Sequence, residues 1–449
     1  MPISVDASPP PSNHIATLKK VGYSFTSAVG DIVDNSIAAN CTKIEIIFLP
    51  LSDGPRLIIV DDGFGMNYSE LQESMVIGCK NPNDNREEGD LGRFGSGLKT
   101  ASFSQAEILT VASKTNNSGI SSARWDTILV QELNKWALQI LDDEDITSLD
   151  YMHLLESRCS GTIVCWDDLS FIEVDSYSRP VSDQIATLCV ELEEYLSRFF
   201  HRFMSGNKPI KFLINGRSIM PLDPFMRHIS GYEEGPMTSL RSKKGQIKIS
   251  SHILPRFNQM TKEQIEEYGG NHNITKKQGL YIYRDKRLIV EGGWLGLAPF
   301  KEHTNLARIQ IDIPANMDDE WSTDLKKSTL KLPAKVRTTL KKIIGSPIRR
   351  STGVHIYAGK KETENPYWNI REDEVEKKIS YEVNVNHSEI KKICDTLSYN
   401  LKSSLLRFLA SASKNVPLNH IYTTMSKSPK SIDQNIEFHN KKDEEILND

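Results

Sequence analysis

The chain has 449 residues, of which 38% are hydrophobic and 25% charged, a composition typical of a globular protein with two or three domains. Its formal net charge of −4 argues against a strong overall attraction to nucleic acid or to an anionic membrane surface. No apolar run approaches the roughly 18 residues of a membrane span. The six cysteines are scattered and contain no C-x-x-C pair, which argues against a zinc module or a disulfide framework. A reducing cytoplasm is therefore the expected location.

The first informative stretch runs from Asp31 to Asn40. One apolar stripe at helical spacing predicts a helix that faces the core: Val29, Ile32, Val33 and Ile37. Asp31 and Asn35 are four residues apart, so both side chains project from the same neighbouring face. Such a carboxylate and carboxamide can activate a water and complete the ligand shell of a magnesium ion, although an ordinary amphipathic helix gives the same pattern.

Two strands are predicted next, at 43–48 and 57–60, and the second runs directly into Asp61-Asp62-Gly63-Phe64-Gly65-Met66. The glycines of this D-x-G-x-G pattern permit a positive φ and close backbone approach, and the acid stands at the end of the strand. An ordinary glycine turn is the alternative interpretation. Ser69 and Gln72 form a capping-box pattern, which predicts a helix as far as about Cys79.

A second glycine-rich stretch, Gly92-Arg93-Phe94-Gly95-Ser96-Gly97-Leu98-Lys99, follows a polar loop. Repeated glycines that open a helix expose backbone N–H groups at its positive end, where they can hold phosphate. The stretch is not a P-loop, because no G-x-x-x-x-G-K-[ST] run is present. Further strands are predicted at 106–114, 122–126, 135–141 and 161–166, the last entered through Gly161-Thr162.

These motifs, in this order along the chain, resemble the GHKL ATPase superfamily, which includes gyrase, MutL, the heat-shock chaperones and histidine kinases. Within that superfamily the pattern is most similar to the bacterial MORC-like and MutL-like ATPases. The resemblance covers residues 10–170 and, less closely, 180–345. It implies an α+β fold with a Bergerat-type two-layer α/β sandwich as the ATP-binding head (1–175) and a transducer-like α/β domain (176–345). Residue patterns predict a helical C-terminal region (346–426) and a disordered tail (427–449) after them.

The resemblance implies that ATP is the cofactor and assigns residues to its adenine end. Asp62 would accept a hydrogen bond from the adenine amino group. Gly63 and Gly65 would let the base lie against the backbone, with Met66 close by. Thr162 would reach the water molecules around the adenine.

The resemblance also assigns the phosphate end, together with Mg²⁺. Asn35 would hold the magnesium ion, and Asp31 would be the general base for hydrolysis. Most hydrolysing relatives carry Glu where this chain has Asp31, so hydrolysis is expected to be slow; Ala38 also stands where relatives often carry Asp. From the transducer-like domain Lys327, or as second choice Lys326, would reach the γ-phosphate, unless this is only a solvated basic loop. A lid would wrap the phosphates through Gly92, Phe94, Gly95, Ser96, Gly97, Leu98 and Lys99.

The later elements are predicted from periodicity and turn residues. They are a helix at 182–205, hairpins around 211–217 and 279–289, a strand at 309–314, a helix between Pro333 and Gly345, and an amphipathic helix at 387–412. The last helix suits either a partner surface or packing on its own transducer-like domain.

Together these features predict a slow ATPase that acts as a nucleotide-gated homodimeric clamp and signals to a partner or to nucleic acid. Basic patches at 241–248 and 326–350 are candidate DNA contacts, although such charged faces are often merely solvated. The MORC-like resemblance implies a role in anti-phage defence beside a helicase or nuclease partner. A chaperone-like protein or a non-hydrolysing ATP-binding scaffold is the alternative. A protein kinase fits less well, because no dimerisation helix with a phosphorylatable histidine is apparent.

Overall fold

The structure is a computed structural model that describes residues 9–20, 22–51, 54–78, 97–173, 179–242, 245–300, 304–314, 332–348, 366–373 and 378–418, with single residues at 317, 321, 351 and 421. The chain divides into two compact units. The first comprises 1–255, 279–298 and 308–344, and the second 256–278, 299–307 and 345–449. None of the described helices combines the length and the apolar character that crossing a membrane requires.

Within the described residues, eight strands form the first sheet of the first unit. They are β1 (Lys43–Leu51), β2 (Gly54–Asp61), β3 (Ala106–Lys114), β4 (Ser121–Asp126), β5 (Leu138–Leu141), β6 (Gly161–Leu169), β7 (Lys211–Ile214) and β8 (Arg217–Ser218). Their spatial order is β5-β4-β3-β6-β2-β1-β7-β8. The pairing is antiparallel except between β1 and β7, which run parallel with Lys43 opposite Lys211. The predicted strands of the head are therefore confirmed, and the fold is α+β with a Bergerat-type sandwich.

Helices accompany this sheet: α1 (Pro11–Lys19), α2 (Phe25–Ala38), α3 (Tyr68–Met75), α4 (Gly97–Phe103), α5 (Thr127–Leu133), α6 (Asp143–Ser148), α7 (His153–Glu156) and α8 (Val181–Phe199). Strand β2 is buried on both faces, because its alternate side chains enter two apolar clusters. Leu57 and Ile59 pack with the buried residues of α2 and α8. Ile58 and Val60 pack with residues 146–155, from α6 to α7. The end of β2 is thereby held between two layers.

A second sheet of the same unit contains β9 (Glu233–Glu234), β10 (Thr238–Ser242), β11 (Gly245–Ile253), β12 (Gly279–Arg284), β13 (Arg287–Glu291) and β14 (Ala307–Ile313). The order is β10-β11-β14-β12-β13, with β9 paired to β11. Between β11 and β12 the chain forms a 3-10 turn (Phe257–Gln259), α9 (Lys262–Glu267) and α10 (Gly270–Lys276), and after β14 comes α11 (Ala334–Ile343). The predicted hairpin at 279–289 is present, and Asp285 and Lys286 both have positive φ, as a tight two-residue turn requires.

The C-terminal part of the second unit has a β-hairpin, β15 (Trp368–Asp373) and β16 (Lys378–Val383), followed by α12 (Ser388–Thr396) and α13 (Tyr399–Lys414). The hairpin was not predicted, because this region was expected to be helical. The single helix predicted at 387–412 is two helices, because Leu397 takes an extended backbone with φ −91° and ψ 145°. Ser413 of α13 accepts a hydrogen bond from the Val383 backbone N–H at 2.9 Å, so α13 packs at least partly against its own hairpin.

Strands β7 and β8 follow the predicted boundary at 175, yet they extend the first sheet through β1. The division of the chain at 175, 345 and 426 stays a prediction, and the tail at 427–449 lies outside the described residues.

The cap predicted for α3 is wrong: Asn67 and Glu70, rather than Ser69 and Gln72, form the capping box.

Candidate functional site

Helix α2 carries the first group of predicted site residues. The Ser24 side chain caps its N-terminus by accepting a hydrogen bond from the Ser27 N–H. The apolar stripe of α2 is buried against the first sheet, which leaves Asp31 half-buried and Asn35 exposed. The Tyr23 hydroxyl donates to Asp31 Oδ2 at 3.0 Å. Burial and the Asp31 charge raise the pKa of Tyr23, so this hydroxyl stays protonated and oriented toward the carboxylate.

Asp61 is the buried acid at the end of β2, with 5% of its surface exposed. Its Oδ2 accepts a hydrogen bond from Ser36 Oγ at 2.7 Å, and its Oδ1 accepts one from the Gly63 backbone N–H at 2.9 Å. The Thr162 backbone N–H also bonds to this carboxylate. Burial raises the pKa of Asp61, and these hydrogen bonds only oppose the rise. The Asp61 carboxylate therefore joins α2, β2 and β6 at one point.

Asp62, the residue predicted to bind adenine, has other partners. Its Oδ1 accepts from the backbone N–H groups of Thr42 and Lys43 at 2.7 and 2.8 Å, and its Oδ2 accepts from Thr42 Oγ1. Partial burial acts to raise the pKa of Asp62, but the hydrogen bonds outweigh it and lower the pKa. The carboxylate thus secures the start of β1. The Asp62 carboxylate therefore lies outside the hydrogen-bonded group around Asp61, and its contact with adenine stays a prediction.

The two predicted glycines lie where the backbone passes very close to its neighbours. Gly65 has φ +69°, and a Cβ placed there would lie 1.9 Å from the Lys114 carbonyl oxygen. A Cβ on Gly63 would lie 2.6 Å from that of Ala39. Both positions therefore require glycine, as the D-x-G-x-G pattern predicts.

Met66 and Thr162 meet through a serine that the sequence patterns do not single out. Ser113 Oγ accepts a hydrogen bond from the Met66 backbone N–H at 2.8 Å, and it lies 2.8 Å from Thr162 Oγ1. These contacts connect the loop after β2 to strands β3 and β6. The structure therefore brings Gly63, Gly65, Met66 and Thr162 into one small region, and the hydrogen bond from Ser36 to Asp61 joins α2 to it.

The predicted lid is described only at its end, where Gly97 begins α4. Lys99 is 1% exposed, and its Nζ donates to the Ser74 carbonyl oxygen near the end of α3 at 2.6 Å. Lys99 is thus engaged with α3 in this structure rather than exposed to solvent. The remaining lid residues, Gly92, Phe94, Gly95 and Ser96, and the loop residues Lys326 and Lys327 lie outside the described residues.

The oxygen ligands available on α2 suit a magnesium ion that binds together with a nucleotide. Among the described residues, no group of three or more His, Cys, Asp or Glu side chains could hold a metal. Mg²⁺ commonly binds through one or two protein oxygens, with substrate phosphates and water completing its shell. The exposed amide of Asn35 fits that arrangement.

One ion pair beside the site has no counterpart among the sequence predictions. Asp34, the residue before Asn35, is 8% exposed, and its Oδ1 accepts a hydrogen bond from Arg287 Nε of β13 at 3.1 Å. The two residues are 253 positions apart, so helix periodicity carries no signal for the contact.

Part of the predicted basic surface is described. Arg241 of β10 and Lys248 of β11 are exposed, and Lys335 Nζ of α11 donates to the Arg241 carbonyl oxygen at 3.0 Å. The strand and the helix therefore place basic side chains in one neighbourhood.

Comparison with known proteins identifies the N-terminal region. Residues 23–162 match the family model described as histidine kinase-, DNA gyrase B- and HSP90-like ATPase. Protein MICRORCHIDIA 2 of Arabidopsis thaliana is 27% identical over 100 residues, which is 21% of this chain and 16% of that protein. ATPase morc-1 of Caenorhabditis elegans is 30% identical over 88 residues, which is 20% of this chain and 10% of that protein. Each alignment spans less than a fifth of the relative's length. Residues 23–162 therefore match the GHKL superfamily of ATPases, and part of the chain is similar to MORC proteins.

Proposed function

We propose that this chain binds ATP with magnesium at the end of β2 and hydrolyses it slowly. The observation that carries the proposal is the buried Asp61 carboxylate, held by Ser36, Gly63 and Thr162 beside the close backbone approach at Gly65. The family match of residues 23–162 supports the same activity class.

Asp61 takes the adenine role that the motif predicted for Asp62. An ionised carboxylate offers about four acceptor positions, and the described contacts of Asp61 use three of them. The remaining position suits the amino group of an adenine. Gly63 and Gly65 keep the adjoining backbone free of side chains, so a flat base can lie against it near Met66.

The phosphate end lies along α2. Asn35 would bind the magnesium ion, which would offset the charge of the phosphates. Asp31 would orient the attacking water, with Tyr23 fixing its carboxylate. The lid from Gly92 to Lys99 is proposed to wrap the phosphates. Lys327, or in second place Lys326, is proposed to reach the γ-phosphate.

The wider role we propose is a nucleotide-gated homodimeric clamp that signals to a partner or to nucleic acid. The MORC relatives and the basic residues of β10, β11 and α11 support this role. Anti-phage defence with a helicase or nuclease partner, in a reducing cytoplasm, is part of the same proposal. The second candidate is an ATP-binding scaffold that does not hydrolyse, because Asp31 stands where hydrolysing relatives carry Glu.

The adenine assignment is tested by titrating ATP onto Asp61→Asn, with Asp62→Asn as the matched control. Removing the buried acceptor of an adenine amino group is expected to cost about 1.5–3 kcal/mol, or roughly 10- to 150-fold in affinity. The control should bind ATP within a few-fold of the wild type, since Asp62 only secures β1. Equal affinities for Asp61→Asn and wild type, or a loss confined to Asp62→Asn, would reject the assignment.

The clamp is tested by size-exclusion chromatography with light scattering, with and without a non-hydrolysable ATP analogue. Dimerisation that needs the analogue supports the clamp. An unchanged monomer in saturating analogue would rule it out, while nucleotide binding without turnover would favour the scaffold.

A further inference from the structure

A buried ion pair connects the proposed catalytic helix to the second sheet. Arg287 Nε donates to Asp34 Oδ1, and the two side chains are 3% and 11% exposed. Asp34 stands directly before Asn35 and three residues after Asp31. The Asp34 carboxylate is therefore attached to the turn of α2 that carries both proposed nucleotide-site residues.

Arg287 is itself fixed by several further contacts. Its Nη2 donates to the Tyr195 hydroxyl at 2.7 Å, and its Nη1 donates to the Leu288 carbonyl oxygen at 2.9 Å and to the Phe199 carbonyl oxygen at 3.3 Å. The guanidinium carbon lies 3.7 Å from the centre of the Phe200 ring. The guanidinium group therefore holds α8, β13 and α2 together at one point.

The backbone on both sides is shaped for this contact. Arg287 is the first residue of β13, directly after the tight turn at Asp285 and Lys286, so its position follows from the hairpin. On α2, Gly30 leaves room for the cluster: a Cβ there would lie 2.8 Å from Tyr195 Oη and 3.1 Å from Arg287 Nη2. The close approach exists because residue 30 has no side chain.

The positive charge of Arg287 also acts on the acids of α2. Burial alone would lower the pKa of Arg287, yet the nearby Tyr195 and Asp34, and to a smaller extent Asp31, raise it. Arg287 is thus permanently charged, and its field reaches Asp31 as well as its direct partner.

We propose that Arg287 is a positioning residue of the nucleotide site: by holding Asp34 it sets the rotation and depth of α2, and so the placement of Asp31 and Asn35. This inference rests on the proposed ATPase function of the same helix. It makes the second sheet an active determinant of turnover, because a shift of the β12–β13 hairpin moves α2 through the pair. A displacement of about 1 Å in a catalytic group can reduce turnover about 10²-fold.

The test compares Arg287→Met, Arg287→Lys and Asp34→Asn with Arg202→Met as a control. Arg202 is a matched residue because it also pairs with an aspartate, Asp312, and its guanidinium carbon lies 3.4 Å from the Tyr283 ring centre. Its described partners belong to the second sheet and not to α2. Turnover, ATP affinity, thermal unfolding and hydrogen exchange are measured on the full chain.

We expect Arg287→Met to lower kcat about 10²-fold while ATP affinity stays within about threefold of wild type. Arg287→Lys should recover part of kcat, because an ammonium group keeps the charge beside Asp34 but cannot hold Tyr195 and two carbonyls in the same fork. Without nucleotide, amides of residues 30–38 should exchange faster in Arg287→Lys than in wild type, whereas β1 and β2 exchange as before. Arg202→Met should lower the unfolding temperature and leave kcat of the folded protein unchanged.

Two results would overturn the proposal. One is an equal loss of stability in Arg287→Met and Arg202→Met with kcat per folded molecule unchanged in both, since the pair would then be only structural. The other is unchanged exchange of residues 30–38 in both Arg287→Lys and Asp34→Asn. If Arg287→Met does not fold, those two variants decide the question. A wild-type chain that lacks turnover would defeat the ATPase proposal, and the exchange comparison would still decide whether Arg287 positions α2.

Discussion

Replacing Gly65 by alanine provides a direct test of the close backbone approach beneath the proposed adenine site. A Cβ at this position would lie 1.9 Å from the Lys114 carbonyl oxygen and 2.7 Å from its carbon. Carbon–oxygen contacts are normally about 3.3–3.6 Å, so the loop after β2 must move about 1.4 Å or more away from β3.

The expected loss of unfolding free energy in Gly65→Ala has two parts. An L-residue in the left-handed region costs about 1–2 kcal/mol, and overpacking costs a further 1–3 kcal/mol, roughly. Gly78→Ala is the matched control, because Gly78 has φ +74° but nothing within 4 Å of a Cβ. Gly78→Ala should therefore lose about 1–2 kcal/mol of unfolding free energy, and Gly65→Ala about 2–5 kcal/mol.

Urea unfolding of the two variants measures the difference, and ATP titration of the folded proteins measures the effect on the site. The Gly65 loop leads to the Met66 N–H that bonds to Ser113, so its displacement should weaken ATP binding at least about tenfold, an energy of about 1.4 kcal/mol. The control should bind ATP as wild type does. An equal loss of stability in the two variants would refute the close approach, and unchanged ATP affinity in Gly65→Ala would separate this loop from the nucleotide site.

The remaining predictions concern catalysis and pH. Asp31→Asn should abolish ATP turnover and preserve ATP binding, while Asp31→Glu should equal or exceed wild type; turnover that survives in Asp31→Asn would remove this residue from the mechanism. Burial lowers the pKa of His201 and of His252 from 6.5 to about 3, so the unfolded chain takes up protons first as the pH falls. The unfolding free energy should therefore decrease by about 1.4 kcal/mol per pH unit for each histidine below pH 6.5. Denaturant unfolding at pH 7.5 and 5.5 checks this, and a flat profile would contradict it.

The head of this protein was predictable because local patterns determine most of it. Strand β2 is apolar on both faces and ends in a glycine motif, so its burial and its turn follow from adjacent residues. The adenine contact, however, was assigned to Asp62, the second of two neighbouring acids. The hydrogen bonds of Asp61 and Asp62 show which carboxylate is buried and which one secures β1. The spacing from Asp61 to the two glycines is the signal that could have selected it.

Other features were not predictable, since they depend on contacts between distant segments. The Asp34–Arg287 pair joins residues on elements that no local pattern connects. Helix α1 is also absent from the predictions; it begins at Pro11 in a Pro- and Ser-rich stretch, and only Ile15 of it is buried. Its Lys19 pairs with Glu107 of β3, a tertiary contact that a local pattern does not reveal.

The parallel pairing of β1 with β7 affects how the head folds during its synthesis. Phe48 of β1 donates its backbone N–H to the Asn215 side chain, 167 residues away, just after β7. During synthesis at about 5–20 residues per second, the roughly 160 residues between β1 and β7 take about 8–32 s, and one edge of β1 stays unpaired for that time. An unpaired edge strand invites association with other chains. The nascent head is therefore most exposed to misassembly before residues 211–214 leave the ribosome, and a chain shortened to residues 23–162 would keep that edge open permanently.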